Sequence, residues 1–532
     1  MGSCMTAERG LEMKEKKTQN FICTTDFPVA ETVQGKIRGF QTNGIYTFHG
    51  IRYAEARRFH RPEPVKPWEG IRDALSYGFV CPLLNQDTPT GEVLVPHRYW
   101  PMDENCQYLN IWTGSLDPKA KKPVMVWLHG GGFYAGSSIE QEAYDGENMS
   151  RYGDVVVVSL NHRLNILGYL DLSPFGEEYK NSANAGNDDM IAALKWIQEN
   201  IRNFGGDPEN VTLFGQSGGG MKVWNLMQMP EADGLFHKGI VQSGVMDGFL
   251  DPGEGDGTRI AEALLEELGF EKDQVKKLET VPYRQLADAW LKVSPELKEK
   301  GYYVGSIPKP NEFYLGEPTI TGFRSHAKKI PVIIGTVFGE FDFGPGFPGK
   351  YDLSQEKILE ILKEKFGSST EQLVELFKKA YPEKCLLDLL SLDNVFRTPT
   401  IEFVEERSKS PESETYSYLF AYEFPLDDGK CAWHCSEIPY VFHNADRIPI
   451  CRTPGVMEKL QDAVFGAWIS FAKEGKPYVP GIDWKRCGKD EEQVLVFDET
   501  CSLRKNFDHE LVRLHAEATG PFIIEEAENL QH

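Results

Sequence analysis

The chain has no stretch of about 18 consecutive apolar residues, so a membrane-spanning helix is not expected. It is short of positive charge: 57 Lys and Arg stand against 80 Asp and Glu, a net charge of −23. A body that acidic repels phosphate backbones, which argues against a nucleic-acid partner. The N-terminal 30 residues carry charge throughout and lack the apolar core of a signal peptide, so a cytoplasmic location is expected. Its 10 cysteines include no CxxC pair. Cys431, His434 and Cys435 lie close together, but a zinc site needs three or four ligands and no second cluster accompanies them. No metal and no cofactor are expected. Linkers rich in Pro, Gly and Ser are missing, and so are internal repeats. We therefore expect one domain over 26–532, preceded by a poorly ordered tail over 1–25.

What is present suits a large globular core: 532 residues, 41% hydrophobic and 26% charged. Residues 31–54 alternate β-branched and aromatic with polar residues between glycines, which predicts short antiparallel strands. Short apolar runs at 109–114, 123–130, 154–163, 210–217, 239–244 and 331–337 predict buried central strands. Between two of them, Ile191, Leu194, Ile197 and Ile201 recur at helical spacing, so a helix joins the strands and the sheet is largely parallel. The class is α/β. Helical patterns recur over 251–300, 354–380 and 456–475, with strand character at 416–424.

The sharpest motif is Gly215-Gln216-Ser217-Gly218-Gly219, which follows the apolar run Val211–Phe214 and precedes a helical pattern. A nucleophile on a tight strand-to-helix turn needs glycines beside it, because larger neighbours clash in the strained backbone that exposes the hydroxyl. A second strand runs into His129-Gly130-Gly131-Gly132-Phe133. A backbone without side chains can turn its N–H groups toward the negative charge that develops on attack at a carbonyl.

With these motifs the chain resembles the type-B carboxylesterases, the carboxylesterase and cholinesterase family of α/β-hydrolases, and within it the bacterial para-nitrobenzyl-esterase kind. The resemblance extends through 50–55, 104–112, 127–137, 161–170, 193–219, 235–244, 331–341 and 433–442. It implies an α/β-hydrolase fold with helical insertions around the site. It also implies a triad of Ser217, Glu340 (five residues after Gly335) and His434 (in a segment like HxxEIxxxF), and oxyanion donors on Gly131, Gly132 and Gly218. Among 12 histidines, only the resemblance selects His434. Candidate apolar lining is Phe133, Tyr134, Phe338, Phe341 and Trp433. Arg163 and Asp189 resemble a buried scaffold pair, and Ser243 is a candidate supporting residue. Cys81 and Cys106 match a disulfide of secreted relatives, and a cytoplasmic chain would keep them as thiols.

Departures from the family pattern are Gln216 and Gly218 where GESAG is usual, GNDDM at 186–190 and Gln107. The expected activity is hydrolysis of small carboxylic esters through an acyl-enzyme, with a preference for uncharged esters because Gln216 is neutral. The alternatives are a non-catalytic binding protein, or a lipase or amidase on the same fold. The intact Ser, Glu and His argue against the binding protein. The oligomeric state is not legible.

Overall fold

The computed structural model describes residues 20–84, 94, 96–344 and 346–520. One sheet of 12 strands runs through it. In chain order these are β1 (Phe21–Ile22), β2 (Phe40–Thr42), β3 (Ile45–Arg52), β4 (Tyr108–Thr113), β5 (Lys122–Leu128), β6 (Val156–Leu160), β7 (Gly206–Gln216), β8 (Lys238–Gln242), β9 (Val332–Val337), β10 (Thr415–Phe420), β11 (Gln493–Phe497) and β12 (Ser502–Lys505). In space the order is β1-β2-β3-β4-β6-β5-β7-β8-β9-β10-β11-β12. Every pairing from β6 to β11 is parallel, and the flanking pairings are antiparallel. The α/β class and the parallel centre are thus as the apolar runs imply.

The central strands read as continuous apolar runs because both of their faces are covered. Along β5, Val124, Val126 and Leu128 enter one core while Met125 and Trp127 enter the other. The first core is closed by α1 (Ala185–Asn200) through Met190, Ile191, Leu194 and Ile197, and by α2 (Gly218–Met227) through Met221, Val223 and Leu226. The second is closed by α8 (Met457–Glu474) through Val464, Trp468 and Phe471. Truncating a side chain such as Trp127 to Ala would cost about 3–5 kcal/mol. Helices α3 (Thr258–Glu267) and α4 (Tyr283–Glu299) build a satellite cluster of their own. Another joins α5 (Gln355–Phe366), α6 (Thr370–Ala380) and the C-terminal α9 (His509–Thr519) to β10 and β11. Helix α7 (Arg397–Ser408) precedes β10.

Residues 1–19 of the expected tail lie outside the described residues. In the rest of it, Phe21–Ile22 pair with β2, and the Phe21 ring packs 5.6 Å from Phe40. Strand β6 is shorter than its apolar run, ending at Leu160. The 416–424 segment splits into β10 and a two-residue strand, Glu423–Phe424.

Because β5 sits between β6 and β7, the loops leaving β5 and β7 emerge side by side at the C-terminal edge, where open α/β sheets place ligands. Leu128 pairs with Gly215, so the two glycine motifs start at the same level. Gln216 pairs with Gln242, and Gln242 with Gly335, which brings the ends of β8 and β9 to that level too.

Candidate active site

Ser217 joins β7 directly to α2 with φ 59° and ψ −128°, a conformation that an L-residue adopts only under constraint. The constraint is visible. The Ser217 N–H donates to the Gln242 carbonyl at 2.8 Å, and the Ser217 carbonyl accepts from Met221 N at 3.1 Å. The turn also lies hard against β5: a Cβ on Gly219 would fall on the Leu128 carbonyl. Ser217 is half-buried while its neighbours are buried, so the turn presents its side chain outward.

His434 and Glu340 come together from loops 94 positions apart. His434 Nδ1 lies 2.5 Å from Glu340 Oε2, and the His434 N–H donates to the Glu340 carbonyl at 2.6 Å. The other carboxylate oxygen accepts from Ser243 Oγ at 2.7 Å and from Val337 N at 2.9 Å. Burial pushes Glu340 up, opposed by the Ser243 and Val337 donors, and burial pushes His434 down, opposed by the charges of Glu437 and Asp393. One proton on the Nδ1–Oε2 line satisfies both groups, and Nε2 is left as a neutral acceptor. Gln216, next to Ser217, lays its amide nitrogen 3.3 Å from each ring nitrogen of His434, and its oxygen accepts from Cys435 Sγ at 3.1 Å. Residues 216–217, 340 and 434 therefore form one cluster.

The glycine loop after β5 completes it. Gly131 (φ 80°) and Gly132 (φ 59°) take left-handed conformations, and a Cβ on Gly218 would fall within 3.0 Å of three backbone atoms of Gly132. Gly132 and Gly218 thus meet beside Ser217, with Gly131 next to Gly132 in the loop.

The expected apolar lining divides. Phe341 lies 4.9 Å from the His434 ring, and half-buried Tyr134 packs edge-on against Phe249 at 5.9 Å. The other three turn into the core. Phe133 is fully buried with Tyr169 edge-on at 5.3 Å, Phe338 packs on Phe377 and Tyr381, and Trp433 packs 4.5 Å from Phe424. Two aromatics at the cluster carried no sequence signal: Phe396, stacked on His434 at 5.2 Å, and Phe249, whose ring edge would lie 3.0 Å from a Gly132 Cβ.

Arg163 and Asp189 form the scaffold pair, with Nε–Oδ2 at 2.8 Å and a second contact at 2.7 Å, both side chains buried. Arg163 also holds the carbonyls of His60 and Ala185. Cys81 and Cys106 are buried thiols. Among the described residues, Glu492, Asp508 and His509 bring possible ligand atoms within 4.8 Å of one another. Arg397 supplies the positive charge there, bonding both carboxylates at 2.7–2.9 Å. No helix among the described residues is long and apolar enough to cross a membrane.

Comparison with known proteins shows the family to which the chain belongs. The sequence profile of the carboxylesterase family matches residues 26–514. The para-nitrobenzyl esterase of Bacillus subtilis (strain 168) is 32% identical over 493 residues, covering 91% of this chain and 97% of the relative. Among solved structures, an esterase from anaerobic Clostridium hathewayi that can hydrolyze aliphatic aromatic polyesters is 53% identical, with a TM-score of 0.92 over 94% of this chain and all of that one. A thermophilic para-nitrobenzyl esterase is 31% identical, with a TM-score of 0.73 over 92% of this chain and 99% of that one.

Proposed function

This chain belongs to the carboxylesterase family and hydrolyses carboxylic esters, and on that premise we propose that Ser217 is its nucleophile, His434 its general base and Glu340 the residue that orients the base. The observation that carries the assignment is the strained Ser217 turn beside the 2.5 Å His434–Glu340 pair. Ser217 Oγ attacks the ester carbonyl as His434 Nε2 takes its proton. Glu340 holds Nδ1–H and stabilises the imidazolium that forms. The carbonyl oxygen, now an anion, is met by the N–H groups of Gly131, Gly132 and Gly218. His434 returns the proton to the departing alcohol, an acyl-enzyme remains, and water cleaves it by the same steps.

The substrates we propose are uncharged esters, because the residue before the nucleophile is a neutral amide and Phe341, Tyr134 and Phe249 supply aromatic surface near the cluster. The likeness to the Clostridium hathewayi esterase extends this to ester bonds within aliphatic aromatic polyesters. The reading sets the enzyme in the cytoplasm, where the buried thiols Cys81 and Cys106 would stay reduced. Three measurements test it: turnover of nitrophenyl esters of increasing acyl length, release of soluble acid from an aliphatic aromatic polyester film, and mapping of an organophosphate adduct. The adduct should fall on Ser217. A label elsewhere, or Ser217→Ala activity within tenfold of the parent, would overturn the assignment.

A further inference from the structure

Behind the glycine loop lies a buried polar group that the chemistry above does not use. Lys222, in the second turn of α2, has no exposed surface. Its Nζ donates to the His129 carbonyl at 2.9 Å, the last carbonyl before Gly130. The Phe133 ring lies 5.7 Å away, and the charge of the half-buried Glu140 carboxylate favours the ammonium. Glu140 is itself tied to Ser137 N at 3.0 Å and Tyr144 OH at 3.3 Å.

The next two carbonyls are held as well. Gly130 O lies 2.9 Å from His129 Nδ1 and, being an acceptor, takes the proton of that nitrogen. Gly131 O accepts from Tyr134 N at 3.2 Å and Ala135 N at 3.0 Å. In a planar trans peptide the C=O and the following N–H point in opposite directions. Fixing the carbonyls of His129, Gly130 and Gly131 therefore fixes the N–H groups of Gly130, Gly131 and Gly132 the other way. Two of these clamps are local to the loop, and among the described residues the first comes only from Lys222.

We infer that Lys222 is a positioning residue for ester hydrolysis: by holding the His129 carbonyl it completes a three-point clamp that aims the glycine-loop N–H groups at the oxyanion. This rests on the reading of Gly131 and Gly132 as oxyanion donors. Burial pulls the Lys222 amine down to about 7, and an amine in either protonation state still carries N–H groups to donate, so the clamp persists across neutral pH. Small misplacements of preorganised donors reduce turnover strongly without weakening ground-state binding.

The test compares Lys222→Met, which keeps the length and loses the donor, with Ser217→Ala and the parent. A nitrophenyl ester gives kcat and KM, and a trifluoromethyl ketone, whose adduct at the serine carries an oxyanion, gives Ki. Lys222→Met should lose kcat by on the order of tenfold to a hundredfold with KM within about twofold, and Ki should weaken in proportion. Unchanged kcat and Ki, or a loss confined to KM, would overturn the inference. An active Ser217→Ala would instead overturn the site on which it rests. Should Lys222→Met not fold because Glu140 loses its counter-charge, the Glu140→Gln/Lys222→Met double variant carries the same measurement. Failure of both to fold would assign Lys222 to stability and end the proposal.

Discussion

Gly218 and Gly132 meet backbone to backbone, and the contact leaves no room for a single methyl group: a Cβ on Gly218 would fall on the nitrogen, Cα and oxygen of Gly132. The family's usual residue at this position is alanine. Here the glycine loop has settled into the space that such a methyl would fill. Gly218→Ala should therefore push the loop away from Ser217 and lower kcat/KM by on the order of tenfold or more while the fold is retained. Steady-state kinetics beside a melting curve check this, and parental activity in the variant would show that the loop yields at no cost.

Ser243 bears on Glu340 rather than on substrate. Its hydroxyl and the Val337 N–H both donate to Oε1 of Glu340 and favour the charged form against burial. A hydrogen bond to a charged group contributes about 1.5–3 kcal/mol, so Ser243→Ala should lower kcat by roughly tenfold with KM little changed. The pH profile follows from His434. Burial lowers its pKa, and the histidine must be neutral to accept the Ser217 proton, so activity should persist as pH falls through 6.5, the ordinary histidine value, and be lost only below it. An acid limb centred at or above 6.5 would contradict this.

The two glycine motifs were legible because their chemistry lies in the backbone: only glycine allows Gly219 to approach Leu128 and Gly218 to approach Gly132. The parallel centre was legible because strands covered on both faces must be apolar throughout. His434 was accessible only by resemblance, since nothing local separates a catalytic histidine from stacked, buried ones such as His129 and His162. Phe396, Phe249 and Lys222 reach the cluster through tertiary contacts that no spacing encodes. Phe133, Phe338 and Trp433 show the converse. Each neighbours a motif in sequence, yet side-chain direction along a strand or turn sends it into the core.

Arg397 is buried between Glu492 and Asp508, and through them it ties α7 to the C-terminal helix and the sheet edge. Arg397→Met would take the guanidinium away from two buried carboxylates, although His509 still faces Glu492, at a cost of about 3–5 kcal/mol. Glu492 is held far below its ordinary value by Arg397 and His509 against the opposing effect of burial. A depressed carboxylate contributes stability above its unfolded pKa and loses it as pH falls. Without Arg397 the largest of the effects that depress it is gone. The Tm of the variant should therefore lie well below the parent at pH 7, and the gap should narrow as pH falls below 4.5, the ordinary glutamate value. A gap independent of pH would mean that the carboxylates do not carry the effect.

On the proposed reading, the preference for substrate charge depends on Gln216. In cholinesterase-like relatives this position is an anionic Glu that, with aromatic rings, favours a quaternary ammonium. Here the amide oxygen accepts from Cys435 Sγ at 3.1 Å and the amide nitrogen lies against the His434 ring at 3.3 Å, so the polar ends of the side chain are engaged and carry no charge. The net charge of −23 attracts cations over longer distances, but salt screens that field within about 8–10 Å, whereas a group in contact acts where screening is weakest. The parent should turn over 3,3-dimethylbutyl butyrate with a higher kcat/KM than its cationic isostere butyrylcholine. Gln216→Glu should narrow or reverse that ratio. The same substitution sets a negative charge beside His434, which favours the imidazolium and raises its pKa, so the acid limb should move upward by a measurable fraction of a pH unit. The ratio and the limb report different consequences of one charge. A variant in which both stay fixed would show that residue 216 faces neither the substrate nor the base.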